Sequence, residues 1–166
     1  MVMDIRPATV DDIPAITAIY GHWVETGTSS FELQAPDEAE MQARFAALKQ
    51  KDLPWLAATR DGALVGYAYA GLYRPRPAYR FTLEDSIYVA PDAVGTGIGR
   101  PLLTALIEAC RGLGCRNLMG IVGDPETNRG SVALHRALGF EPVGTARQIG
   151  FKFDRWLDVL TMQKVL

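Results

Sequence analysis

Long apolar runs, cysteine, histidine and any excess of one charge are all scarce in this 166-residue chain. Each scarcity removes a class of function. The longest largely apolar stretch, Ala63 to Tyr73, is far short of the roughly 20 residues that cross a bilayer. The first residues carry Asp4, Arg6, Asp11 and Asp12 where a secretory signal would be apolar, so a cytoplasmic location and no membrane partner are expected. The two cysteines, Cys110 and Cys115, are expected to be reduced and structural. The two histidines, His22 and His135, have no metal-ligand spacing to each other or to the cysteines, and no metal is expected. A formal net charge of −2 supplies no general basic field, which argues against a nucleic acid partner. Arg74, Arg76 and Arg80 form the one local basic cluster.

What remains is an ordinary globular composition, with 48% hydrophobic and 22% charged residues. There is no repeat, low-complexity tract or linker-like shift, so one domain spanning 1–166 is expected, burying roughly 70% of its unfolded surface. Ile5 to Ala8 reads as a strand. Thr9 to Asp12 opens a helix whose apolar positions are Ile13, Ile16, Ile19, Tyr20 and Trp23. Asp37 caps a second helix bearing Met41, Phe45 and Leu48. Trp55 to Arg60 and Leu64 to Leu72 are strands joined by an Asp61-Gly62 turn. Tyr73 to Pro77 is a loop, because its prolines cannot donate to a ladder, and Tyr79 to Val89 comes next as a long strand. Ile98, Leu102, Leu103, Leu106, Cys110 and Leu113 stripe a third helix. Asn117 to Val122 is a strand, Gly130 to Leu138 a short helix, and two strands run from Gly139 to Leu166. The order β-α-α-β-β-β-α-β-α-β-β predicts an α+β (mixed α/β) fold with a strand–helix–strand crossover at its centre.

That crossover carries the most specific motif, Val94-Gly95-Thr96-Gly97-Ile98-Gly99-Arg100. Alternate glycines at a strand-to-helix junction let backbone approach a ligand and leave helix-start amides free for an anion. The spacing is not G-x-G-x-x-G, since Arg100 stands where the third glycine would fall. Nor does it end in Gly-Lys-Ser/Thr. Dinucleotide and P-loop readings are both excluded.

The run Ile87-Tyr88-Val89 through Gly95-Thr96-Gly97-Ile98-Gly99, with Asn128-x-x-Ser131 and Leu134-His135-Arg136-Ala137-Leu138-Gly139-Phe140, resembles the GNAT acetyltransferase superfamily. Glu84-Asp85-Ser86, the preceding Arg-Pro loop and Gly150-Phe151-Lys152…Trp156-Leu157-Asp158 resemble, within it, phosphinothricin and methionine sulfoximine acetyltransferases. The resemblance implies a three-layer fold on a mostly antiparallel twisted sheet of about seven strands. It implies acetyl-CoA as cosubstrate, bound by Ile87, Tyr88, Val89, Gly95, Thr96, Gly97, Ile98, Gly99 and Arg100. Asn128 would meet the pantetheine arm, Ser131 the cofactor phosphate, and a backbone amide near Val89 the thioester carbonyl. It also implies a homodimer acting on the α-amine of a small amino-acid-like compound with an anionic group. Val94 departs from the superfamily, which usually has Gln or Arg there, so backbone amides must hold the pyrophosphate. His135 stands where many relatives have tyrosine.

Acetyl transfer needs a neutral amine, support for an oxyanion and a proton for the thiolate. An α-amine with a reference pKa near 8 needs only a modest base. Glu84 is the candidate, sharing a strand face with Thr82, Ser86 and Tyr88. His135, or Tyr88 through water, is the candidate proton donor. Arg74 and Arg76, stiffened by Pro75, are candidates for an acceptor anion, since arginine's fork suits carboxylate or phosphinyl groups. Asp85 and Ser86 complete the expected acceptor contacts. Acetylation of a protein N-terminus or another metabolite amine, and a CoA-binding module without turnover, remain the competing readings.

Overall fold

The computed structural model describes residues 3–166, and its element order matches the expected one. Strand β1 is Met3–Pro7, helix α1 Ile13–Thr26, α2 Glu38–Lys49, β2 Trp55–Arg60, β3 Ala63–Leu72 and β4 Thr82–Val89. Then come α3 Gly99–Gly112, β5 Asn117–Gly123, α4 Arg129–Ala137, β6 Glu141–Lys152 and β7 Arg155–Val165. Local chemistry sets several of these boundaries. Asp12 ends the turn before α1 by accepting from the Thr9 amide at 2.8 Å, while Arg6 grips both its oxygens at 2.8 Å. That bidentate pair holds the Asp12 carboxyl below its usual range, with the gain from Arg6 exceeding the cost of burial. At α2 the Asp37 side chain accepts from the Glu40 amide at 2.8 Å.

Two expected boundaries move. Strand β4 starts at Thr82, not Tyr79, because Pro77 opens a 3-10 turn over Pro77–Tyr79. The Tyr79 and Arg80 amides donate to the carbonyls of Arg76 and Pro77 within that turn instead of to a ladder. Leu113 does not join the α3 stripe. The helix ends at Gly112, Gly114 is left-handed at φ +77°, and Leu113 is 51% exposed.

The seven strands form one sheet in the order β1-β2-β3-β4-β5-β7-β6, antiparallel throughout except for the parallel β4–β5 pair. Helices α1 and α2 cover one face. There Tyr67, Tyr69 and Tyr88 point up from β3 and β4, and the Tyr20 ring meets Tyr88 edge-on at 5.0 Å. Helices α3 and α4 cover the other face, where α3 buries Leu102, Leu103, Leu106, Ile107 and Cys110. Helix α3 packs closely over Gly66 on β3, where a Cβ would touch Ile98 at 3.4 Å and Leu102 at 3.5 Å and crowd the Tyr88 carbonyl at 3.2 Å. Both cysteines are free and buried, and burial pushes the Cys110 thiol up to about 12 and raises Cys115. Burial and a raised pKa disfavour the reactive thiolate at both residues.

The α1–α2 connection is locked to the far half of the sheet by one ring. Phe31 lies across two glycines, Gly123 on β5 and Gly150 on β6. A Cβ at Gly123 would fall 2.6 Å from the ring, and one at Gly150 would collide with it as well. Lys152 Nζ, buried, donates to the Ser30 carbonyl at 2.9 Å, and Thr28 Oγ1 donates to Asp124 at 2.7 Å. Gly150→Ala should therefore expel Phe31 and cost about 2 kcal/mol by overpacking. Thermal unfolding should fall by about 4–8 °C, and adding Phe31→Ala should remove most of the further effect of the alanine at 150.

Candidate active site

The parallel pair β4–β5 is short. It runs from Thr82–Asn117 to Asp85–Gly120 and stops, although β4 continues to Val89 and β5 to Gly123. Beyond Asp85 the two strands part, and each keeps only its outer neighbour, β3 or β7. The result is a gap in the middle of the sheet, flanked by Ile87, Tyr88 and Val89. Trp23 closes the top of β4 by donating its indole N–H to the Val89 carbonyl at 2.8 Å.

Glu84, Ser86 and Tyr88 rise on the α1–α2 face in register with Gly71, Tyr69 and Tyr67. The Glu84 carboxylate is half-buried and has no hydrogen-bond or ion-pair partner among the described residues. Burial, helped by the nearby Asp85 charge, raises its pKa above the ordinary glutamate value. Tyr88 is closely packed, and burial keeps its phenol protonated, well above the usual value. To the α2 side lies a cavity of about 290 Å³ walled in part by Tyr20, Arg44, Trp55, Tyr67 and Tyr69.

Asp85 points the other way. Expected beside Glu84 at the acceptor, it is instead buried on the α4 face and meets His135 Nε2 at 2.9 Å. His135 Nδ1 lies 2.7 Å from the Ser131 carbonyl, so this nitrogen carries a proton. Burial works to lower the imidazole pKa, but the Asp85 carboxylate and the Ser131 carbonyl outweigh it, and the net shift is upward. His135 is 2% exposed, with both ring nitrogens engaged. Gly120, the last paired residue of β5, makes room, because a Cβ there would sit 2.8 Å from the His135 ring.

The glycine turn crosses the mouth of the gap. Gly95 and Gly97 are left-handed at φ +77° and +86°, and a Cβ on either would meet nothing within 4 Å. Open space thus lies beside the loop, and conformation rather than crowding demands glycine. Thr96 braces the turn by donating to the Ala93 carbonyl at 2.7 Å. The Gly97 and Ile98 amides donate to no protein acceptor among the described residues. Those of Gly99 and Arg100 belong to the first turn of α3, which lacks internal acceptors. This is a fit for a diphosphate held by main chain. Val94 is 55% exposed and contributes no polar group. Ile98 turns its side chain into the core at 1% exposure, so only its backbone faces the loop.

Other expected site residues fall less simply. Asn128 Nδ2 donates to the Gly123 carbonyl at 2.7 Å and to Thr28 Oγ1 at 3.2 Å, stitching the end of β5 to the start of α4. Ser131 lies one helical turn before His135, its Oγ 3.5 Å from Nδ1. Arg74, Pro75 and Arg76 lie on an exposed turn at the Glu84 end of β4, with Arg74 stacked over Tyr73 at 5.2 Å and Tyr79 at 5.7 Å. The structure does not bring these arginines into contact with Glu84 or Ser86. No group of side chains among the described residues is arranged to hold a metal ion, and no described helix is long and apolar enough to cross a membrane.

A sheet opened between parallel strands, with a glycine turn at its mouth, defines an acyl-CoA-type transferase scaffold, and comparison with known proteins agrees. Residues 16–140 match the Acetyltransferase (GNAT) family. The chain is 55% identical over 162 residues to a phosphinothricin N-acetyltransferase of Alcaligenes faecalis, covering 98% of this chain and 82% of that protein. It is 41% identical over 164 residues to an L-methionine sulfoximine/L-methionine sulfone acetyltransferase of Pseudomonas paraeruginosa, covering 98% and 94%. A crystal structure of a GNAT superfamily phosphinothricin acetyltransferase from Sinorhizobium meliloti, in complex with acetyl-CoA, superposes with a TM-score of 0.96 at 44% identity, covering 100% of this chain and 89% of that one. The chain belongs to the GNAT family and is an N-acetyltransferase.

The Asp85–His135 pair makes a testable demand on stability. A histidine whose pKa is raised by folding adds stability that is fully present below its unfolded value, roughly 6.5. That stability is lost as pH rises through the folded value. Urea unfolding should show a decline from pH 6 toward pH 8.5 that Asp85→Asn flattens, and the substitution should cost about 3 kcal/mol at pH 6. Equal pH slopes in both proteins would show that Asp85 does not raise the His135 pKa on folding.

Proposed function

We propose that this enzyme transfers the acetyl group of acetyl-CoA directly to the α-amine of a small amino-acid-like acceptor bearing an anionic group. The acceptor is of the phosphinothricin, methionine sulfoximine or methionine sulfone kind, and Glu84 is the general base. The observation that carries the proposal is the Glu84 carboxylate: half-buried, unpartnered among the described residues, raised in pKa, and beside the point where β4 leaves β5. A free carboxylate in that position can take a proton at neutral pH, whereas one locked in an ion pair could not. The names and identities of the phosphinothricin and methionine sulfoximine relatives support the acceptor class.

The chain's own groups divide the work. The glycine-turn amides and the α3 N-terminus hold the donor's pyrophosphate, and the opened strand edges accept its pantetheine arm. An amide near Val89 faces the thioester carbonyl, where an oriented N–H stabilises developing negative charge. Asn128 keeps the far edge of the gap in place. The leaving thiolate, with a pKa near 8.5, needs little acid help. His135 lies buried below the gap with both ring nitrogens already engaged, so Tyr88 or water delivers the proton. Arg74 and Arg76 attract the acceptor's anion from the exposed turn. Cytoplasmic action and a homodimer complete the reading. Dimerisation is supported by the edge strand β6 and its hairpin partner, which expose Val143, Ile149, Phe151 and Trp156. Such an apolar edge is a site for a second copy.

Free-CoA release with phosphinothricin, methionine sulfoximine, methionine sulfone and the common amino acids tests the acceptor class. The first three should exceed unrelated amines by well over ten-fold, and rates within a few-fold across the panel would contradict it. Glu84→Gln should lower kcat/KM at pH 7 by about 10²-fold or more, and unchanged rates from pH 6 to 9 would remove Glu84 as the base. Trp156→Glu should shift light-scattering mass from dimer to monomer, while a wild-type monomer would exclude the edge-strand interface.

A further inference from the structure

Val94 gives the start of the glycine turn no polar side chain, yet a cation stands on the turn from elsewhere in the fold. Arg60, the last residue of β2, extends Nη2 to within 3.2 Å of Thr96 Oγ1 and 3.5 Å of the Thr96 carbonyl. Thr96 is the residue between the two left-handed glycines. This contact spans 36 positions in sequence, and three features of the β2–β3 hairpin aim it. Asp61 and Gly62 form a tight turn with φ of +50° and +85°, the two-positive-φ geometry that keeps hairpin strands close. The register shifts between Ala58 and Thr59, so that Ala58 faces Gly66 while Thr59 faces Leu64. A bulge of this kind redirects the side chains beyond it. Val65, the residue passed over, accepts a hydrogen bond from the Ala90 amide at 2.8 Å, tying the hairpin to the chain that leads into the glycine turn.

We propose that Arg60 is a donor-binding residue that contacts the phosphates of the CoA moiety from the end of β2. The inference rests on acetyl-CoA being the donor. Among the described residues only Nη2 of the guanidinium is engaged, which leaves donors for phosphate oxygens, and the positive charge lies on the same turn as the amides that have no protein acceptor there. The part of the ligand recognised is chemically specific: a phosphate ester or diphosphate, not the acyl chain or pantetheine. Arg60 acts in binding, so its loss should raise the KM for acetyl-CoA with little change in kcat.

Calorimetry with acetyl-CoA and with S-acetylpantetheine, which lacks the diphosphate and nucleotide, tests this on the full chain. Arg60→Gln keeps an N–H that can hold Thr96 but removes the charge. It should weaken acetyl-CoA about ten-fold or more, the scale of a charge-assisted hydrogen bond, and flatten the salt dependence of binding. It should leave acetylpantetheine unchanged, and Arg60→Lys should restore part of the loss. Equal weakening of both ligands would make Arg60 a brace for the turn and overturn the proposal. So would wild-type affinity in Arg60→Gln. A wild-type chain that binds acetylpantetheine and acetyl-CoA equally overturns the phosphate contact alone, whereas one that binds neither overturns the donor assignment with it.

Discussion

The separation of β4 from β5 after Asp85 and Gly120 is the constraint on which the rest of the site depends. A continuous parallel sheet would satisfy its own backbone and leave no edge for a ligand. Here the ladder ends after four residue pairs, and the neighbouring side chains are arranged around the opening. Below it, Asp85 and His135 fill the α4 side with a buried hydrogen-bonded pair that only a glycine at 120 can accommodate. Above it, Trp23 fastens the end of β4 and Asn128 the end of β5. Each strand is held from its outer side, which keeps the gap from closing.

The two faces of the sheet then take different chemistry. The α1–α2 face is lined by aromatic rings and by Glu84, unpaired among the described residues, whose burial raises its proton affinity. The opposite face holds its acidic side chain, Asp85, against the His135 ring. Adjacent acidic residues on one strand thus take up different surroundings, one unpartnered among the described residues and one paired with a histidine, because strand alternation sends them to opposite layers. Around this centre, a second polar cluster ties the α1–α2 connection to the hairpin of β6 and β7. Asp124 accepts from Thr28 and from Arg155, at 2.7 and 2.6 Å, and these two bonds help overcome the cost of burial to keep its carboxyl acidic. Phe31 between Gly123 and Gly150 completes the lock.

Much of this is legible from residues alone, and the exceptions have physical causes. Periodicity yields the element order in full, and the glycine spacing with its flanking motifs singles out the turn at 94–100. The start of β4 departs from expectation because Tyr79 and Phe81 read as strand formers, while the influence of Pro77 reaches three residues farther than a simple proline break suggests. Adjacency groups Glu84, Asp85 and Ser86 as acceptor contacts, although alternation alone separates Asp85 from the other two. No local pattern shows the pairing of Asp85 with a histidine 50 residues on, or the reach of Arg60 to Thr96. Those contacts exist only once the sheet order and the β3 bulge are in place. The arginines of the β3–β4 turn are the reverse case. Clustered and conspicuous in sequence, they stack largely on aromatic rings of their own turn in the folded chain.

Amide hydrogen exchange with and without acetyl-CoA probes the opened strands most directly. Ligand entering between β4 and β5 should slow exchange in residues 86–89 and in the glycine turn at 95–100. Residues 82–85, already paired with β5, should change little. Protection spread evenly over β4, or confined to the turn with 86–89 unaffected, would contradict a donor site built on the parting of these two strands.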